Sequence, residues 1–269
     1  MIYAGRAWGI ALLITSALLM QSSFSKVRGN VAPQTLQTSA QSSCNRGTFR
    51  IILDVGHTAE EPGAISARGV PEFAFNLRLA QHIRQQLISA GFAQTEVLIA
   101  AGASFSGLLQ RVQRVNRIAP SLFLSIHHDS VPEAFLETWE YAGVQQHFSD
   151  RFKGHALFIS SENSQFQPSL YFARLLGDEL KVRGLQYTSH YTQPFMGKRR
   201  RELLDAKTGV YRFDQLLVLR KTEAPAVLLE AGSIVNRDEE LELGSPERQA
   251  IIGTAIAQAV EAFCSSRSS

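Results

Sequence analysis

Two histidines and two glutamates are spaced so that a folded chain can gather them for hydrolytic chemistry. His57 closes Asp54-Val55-Gly56-His57, directly after an apolar run. His127 ends a second apolar run, Leu122 to His127, and Glu230 lies inside a third, Leu228-Leu229-Glu230-Ala231-Gly232. Glu72 opens a stretch of helical period. Two imidazoles and one carboxylate can fill three corners of a zinc tetrahedron and leave the fourth for water. A further carboxylate beside that water can take its proton and hand it to a leaving nitrogen. Each residue alone also has an ordinary role: His57 in a turn, Glu72 as a first-turn acid facing the helix dipole, His127 or His128 at a strand end. Glu230 fits no such role, because a carboxylate between Leu229 and Ala231 in a buried strand needs a partner or a raised pKa. The intervals between these residues are too long for a local zinc motif, so a tertiary fold must assemble them.

The elements that would do so alternate along the chain. Strands are expected at Arg50 to Val55, Thr95 to Ala100, Leu122 to His127, Ala156 to Ser160 and Val227 to Ala231. Helices are expected at Glu72 to Ala90, Leu108 to Ile118, Pro168 to Arg183 and Pro246 to Phe263. In the first helix Phe73, Leu77, Ala80, Leu87 and Ala90 repeat near 3.6, between Pro71 and Gly91. This alternation implies one α/β domain, a mostly parallel sheet with helices on both faces, and a site at the carboxyl ends of the strands. Regular signals are weakest from Val131 to Thr222.

Length and composition narrow the class. The chain has 269 residues, 45% of them hydrophobic, enough for one sizeable core. Its net charge of +3 gives no argument for nucleic acid. Residues 1–25 read as a signal peptide: Arg6, then an apolar run from Trp8 to Met20, then Ser23-Phe24-Ser25. A helix over that run rises about 20 Å, short of a ~30 Å hydrocarbon core, so cleavage near Ser25 is expected in place of stable membrane insertion. A retained anchor starting near Ile2 is the alternative. Residues 26–48 read as a flexible leader and 49–265 as the catalytic domain. Cys44 and Cys264 are the two cysteines, and export to an oxidising compartment suggests that they pair.

The motifs Asp54-Val55-Gly56-His57 with Pro62-Gly63-Ala64, then Glu72 with Asn76-Leu77, resemble a known family opening. Leu109 to Asn116, with Arg111, runs into Leu122 to His127 as in the same family, and Leu228 to Asn236 resembles its closing motif. The family is that of the zinc-dependent N-acetylmuramoyl-L-alanine amidases of the AmiC type (amidase family 3). The resemblance implies one zinc ion held by His57, Glu72 and His127, with Glu230 as catalytic carboxylate. It also implies cleavage between N-acetylmuramic acid and L-alanine in peptidoglycan, and hence a periplasmic or secreted enzyme. Val55 and Thr58 depart from the family's usual Pro and Gly near the first histidine, a matter of loop shape. His128 is the alternative to His127, since adjacent strand residues face opposite ways and only one should ligate. His155 and His190 fall in unmatched sequence and are not expected as ligands.

Two rival readings are a zinc peptidase acting on the stem peptides and a wall-binding or activator protein without activity. The absence of a Gly-x-Ser-x-Gly elbow argues against a serine hydrolase. In the segment after His127, Lys198-Arg199-Arg200-Arg201 is the densest basic cluster. Arg199, Arg200 and Arg201 are expected to hold stem-peptide carboxylates, with Phe195 and Tyr211 in apolar contact. A solvated loop is one alternative. Another is a plug that turns Glu202 or Asp205 toward the metal until a protein activator lifts it.

Overall fold

The computed structural model describes residues 44–102 and 104–267. The expected signal segment and leader residues 26–43 lie outside them. Along the chain the elements are β1 (Ile51–Val55), α1 (Glu72–Ser89), β2 (Thr95–Leu98), α2 (Ser104–Ile118) and β3 (Leu122–Asp129). A hairpin of β4 (Glu137–Tyr141) and β5 (Val144–Phe148) follows, then β6 (Ala156–Ile159) and α3 (Phe166–Val182). Two 3₁₀ turns, His190–Thr192 and Pro194–Arg199, lead to β7 (Glu202–Asp205) and β8 (Val210–Arg212). The chain closes with α4 (Leu217–Lys221), β9 (Ala226–Ser233), α5 (Arg237–Gly244) and α6 (Pro246–Arg267).

Seven strands form one sheet in the order β2-β1-β3-β9-β6-β8-β7. β2, β1, β3 and β9 pair in parallel, and so do β6 and β8. β6 runs antiparallel to β9 and β7 antiparallel to β8, so the sheet is mixed although mostly parallel. Every residue of β1 is buried, which requires cover on both faces. Ile51, Leu53 and Val55 pack with residues of α1, α3 and α6, whereas Ile52 joins Phe123 and Leu228 against residues of α2 and α4. The second face matters for chemistry, because the strand alternation that sends Phe123 there also sends His127 and Asp129. The register pairs His127 with Glu230 on the neighbouring strand, so two of the four singled-out residues are neighbours by sheet geometry alone.

Cys44 and Cys264 form a disulfide across a sequence separation of 220 residues. It fastens the segment before β1 to the end of α6, and the Arg46–Glu261 ion pair at 2.8 Å lies beside it. Closing so long a loop restricts the unfolded chain, so Cys44→Ser with Cys264→Ser should lower stability by roughly 2–5 kcal/mol. The double variant is expected to melt earlier while keeping its activity at low temperature. Two free thiols in the mass of the unreduced wild type would contradict this.

Candidate active site

Glu72 is the hub of the site. It is the first residue of α1 and is 4% exposed, with both carboxylate oxygens in use. Oε2 lies 3.0 Å from His57 Nε2, and Oε1 lies 3.1 Å from His127 Nδ1. Backbone N–H groups of Ala64 and His128 donate to Oε2 and Oε1 at 3.2 Å each, and Asn76 Nδ2 donates to Oε1 at 3.2 Å. Burial by itself would raise the Glu72 pKa, but hydrogen bonds to His127 and His57 outweigh it and hold the carboxyl well below the usual range. The donor atoms of His57, Glu72 and His127 all lie within 4.8 Å of one another. That is the reach of one small cation, and the set of two imidazoles and a carboxylate is consistent with a zinc site.

Local backbone makes this convergence possible. His57 leaves β1 in the left-handed region, φ 67°, a conformation that costs energy for a residue with a side chain. Its carbonyl accepts a hydrogen bond from the buried Arg111 guanidinium, which also pairs with Asp54 Oδ2 at 3.3 Å. Ser125 Oγ donates to the same Asp54 oxygen at 2.8 Å. Arg111, Asp54 and Ser125 therefore hold the strained turn that aims His57. A side chain at Gly56 would meet the His127 ring at 2.4 Å, and one at Gly63 would meet Glu72 Oε2 at 2.5 Å. Both positions have to be glycine for the three donors to close together.

A sequence model described as N-acetylmuramoyl-L-alanine amidase matches residues 51–262. The chain belongs to this amidase family. Escherichia coli AmiA is 24% identical over 79% of this chain and 75% of that protein. Ami1 from Mycobacterium smegmatis superimposes with a TM-score of 0.62 at 20% identity, over 82% of this chain and 99% of that one. AmiC2 of Nostoc punctiforme does so at 0.54 and 20% identity, over 79% and 94%. These structures share the fold. AmiA and AmiC2 both match at low identity, so membership stands at the level of the family and the narrower AmiC type is not singled out. As a member, the chain is a peptidoglycan amidase.

Glu230 lies on β9 beside His127 in the sheet register. Its Oε2 is sealed from solvent and has no hydrogen-bond partner. Burial, and after it the charges of Asp129 and Glu72, push its pKa well above the usual range, with Arg199 opposing them. Asp129 Oδ1 accepts from Tyr191 Oη at 2.7 Å, and Oδ2 lies 3.5 Å from His190 Nε2. A cavity of about 180 Å³ opens beside the triad, lined by His57, Thr58, Arg111, His127, Leu216 and Val218.

His128 points to the other side of β3, buried, with Nδ1 2.7 Å from Asn76 Oδ1. It braces α1 and stands outside the donor set, as do His155 and His190. The side chains of the arginine cluster do not point to one patch. Arg199 leans toward the site, donating to the Ser130 carbonyl at 3.1 Å with Asp129 at 4.0 Å. Arg200 donates to the Thr192 carbonyl at 2.9 Å, and the Arg201 guanidinium lies 3.9 Å from the centre of the Phe213 ring. Tyr211 is fully buried beneath these turns, with its hydroxyl donating to the Thr188 carbonyl at 2.5 Å, so the expected substrate contact there is corrected to a core residue. The plug is corrected as well. Glu202 and Asp205 lie on β7 at the far edge of the sheet, paired with Arg212 and Arg174 at 2.7 Å each. Sequence reasoning missed Asp129 and Tyr191; the only signal for either is the Asp that follows His127-His128.

Proposed function

We propose that this cleft binds one zinc ion through His57, Glu72 and His127 and hydrolyses the amide between N-acetylmuramic acid and L-alanine. The observation that carries the reading is one sealed carboxylate whose two oxygens reach two imidazoles, with Glu230 next to His127 in the sheet register. Bound there, the ion supplies Lewis acidity toward the scissile carbonyl and the attacking water. Glu230 takes the proton from the water as the new C–O bond forms. It then gives that proton to the alanine nitrogen as the C–N bond breaks. Its raised pKa suits both halves of the transfer, because a stronger base is also a group that stays protonated long enough to donate. Asp54 and Arg111 keep the His57 turn in place throughout.

Of the three arginines, Arg199 is the one whose surroundings support a substrate role. A guanidinium held by the Ser130 carbonyl is oriented for two-pronged contact with a stem-peptide carboxylate. Arg199→Ala should raise KM on wall fragments by roughly tenfold without loss of zinc, and Arg200→Ala should leave KM near the wild-type value. Equal effects in both variants would contradict the division. A disulfide, and the lack among the described residues of a helix long and apolar enough to cross a membrane, are consistent with an extracytoplasmic enzyme. In this reading it is periplasmic or secreted after cleavage near Ser25.

Digestion of purified wall tests the reaction. New amino-terminal alanine together with lactyl carboxyl groups on muramic acid is the expected product pair. New termini inside the stem peptide would mark a peptidase, and unaltered wall a binding protein.

A further inference from the structure

Outside the triad, three aromatic rings and one arginine form a separate built feature at the same end of the sheet. Phe135, Phe152 and Phe195 pack edge-on or tilted against one another, with centroids 5.2 to 5.8 Å apart. The Arg151 guanidinium lies over all three, 5.7, 5.0 and 4.9 Å from their centres. The residue is exposed, and among the described residues it has no ion-pair partner within 4.0 Å; Asp150, its neighbour, is paired with Arg237. Of the other arginines over rings, Arg46, Arg68 and Arg237 have carboxylate partners, whereas Arg78, Arg201 and Arg267 have none among the described residues; Arg151 differs from all of these in lying over three rings at once. Arg151 is thus a cation fixed in position by ring faces while its charge is left uncompensated.

The feature is tied to the cleft by direct contacts. Phe152 packs on the His190 ring at 5.1 Å, and His190 Nε2 lies 3.5 Å from Asp129. Phe195 and Arg199 lie on the same short segment, Pro194–Arg199, on either side of a kink at Gly197. Val131, two residues past Asp129, and Val235, five past Glu230, pack with Phe152. The rim that carries Arg151 is therefore built on the ends of the two strands that present His127 and Glu230.

We propose that Arg151 is a docking residue for a carboxylate of the peptide part of the substrate, the apolar rings receiving the adjoining backbone or side chain. The inference rests on the amidase reading and adds an anchor remote from the scissile bond. A planar guanidinium with free donor edges matches a carboxylate in two-pronged geometry, and prior immobilisation on the rings lowers the entropy lost when it does so.

The test compares muropeptides whose peptide carboxylates are free with the same muropeptides carrying carboxamides. On the free form, Arg151→Gln is expected to raise KM about five- to tenfold with kcat within about twofold, and Arg151→Lys to recover part of the loss. On the amidated form, wild type and Arg151→Gln should share one KM. The stem peptide alone, titrated against both proteins, should show the same split in affinity. No change in KM or affinity, or the same change on both forms, would overturn the proposal. If the wild type cuts neither muropeptide, the amidase reading fails, and the stem-peptide titration still decides Arg151.

Discussion

Glu230→Gln is expected to fold, bind zinc like the wild type and lose at least about 10²-fold in kcat, the usual contribution of a positioned base. The substitution keeps the shape of the side chain and removes its basicity. Glu230 sits among groups that disfavour its charge: the residue is half-buried with Oε2 sealed from solvent, and the carboxyls of Asp129 and Glu72 lie nearby. A neutral amide should therefore be accommodated, and the melting temperature should not fall. The pH profile provides a second readout with a definite sign. Wild-type activity must fall as pH drops through the raised Glu230 pKa, because only the carboxylate form accepts the water's proton. In Glu230→Gln the limb set by Glu230 should be gone, leaving the fall at lower pH where the zinc ligands themselves take up protons. Near-normal turnover would show that another group moves the proton.

The second large effect concerns the donor set. His57→Ala and His127→Ala should each lose bound zinc and nearly all activity, since two remaining protein ligands seldom hold the ion firmly. A chelator should reproduce the loss in the wild type, and added zinc should reverse it. His128→Ala is the matched control on the same strand. Its ring is 2% exposed, and it faces Asn76 instead of the other donors, so the variant should keep one zinc per chain while losing stability from the broken contact. Full zinc content in both His57→Ala and His127→Ala would refute the assignment.

The parts of the molecule that sequence predicts well are those governed by period. The first helix, expected from Glu72 to Ala90, runs from Glu72 to Ser89, and the third strand, expected to end at His127, continues to Asp129. Both faces of β1 and β9 are covered, so their sequences are mostly apolar, interrupted by Asp54 in β1 and by Glu230 and Ser233 in β9, and they stand out against the flanking loops. The expected triad is also assembled, because strand ends and a helix start are points that sequence can locate. The stretch after His127 behaves differently. β4 and β5 are largely exposed on both faces and lack alternation, and β8 is only three residues long. The antiparallel turn of β6 against β9 is set by tertiary packing and leaves no trace in composition.

The arginine cluster shows a further limit. Four consecutive basic residues suggest one patch, yet irregular backbone sends Arg199, Arg200 and Arg201 to three different partners. Tyr191 and Asp129 meet across 62 residues of chain, and no spacing rule would join them.

Anomalous diffraction from zinc-soaked crystals of residues 44–267 tests the central claim most directly. The account predicts one strong peak, about 2.0–2.2 Å from His57 Nε2, His127 Nδ1 and a Glu72 oxygen, with a remaining position open toward Glu230. A peak on His128 or His190, or none near Glu72, would contradict it.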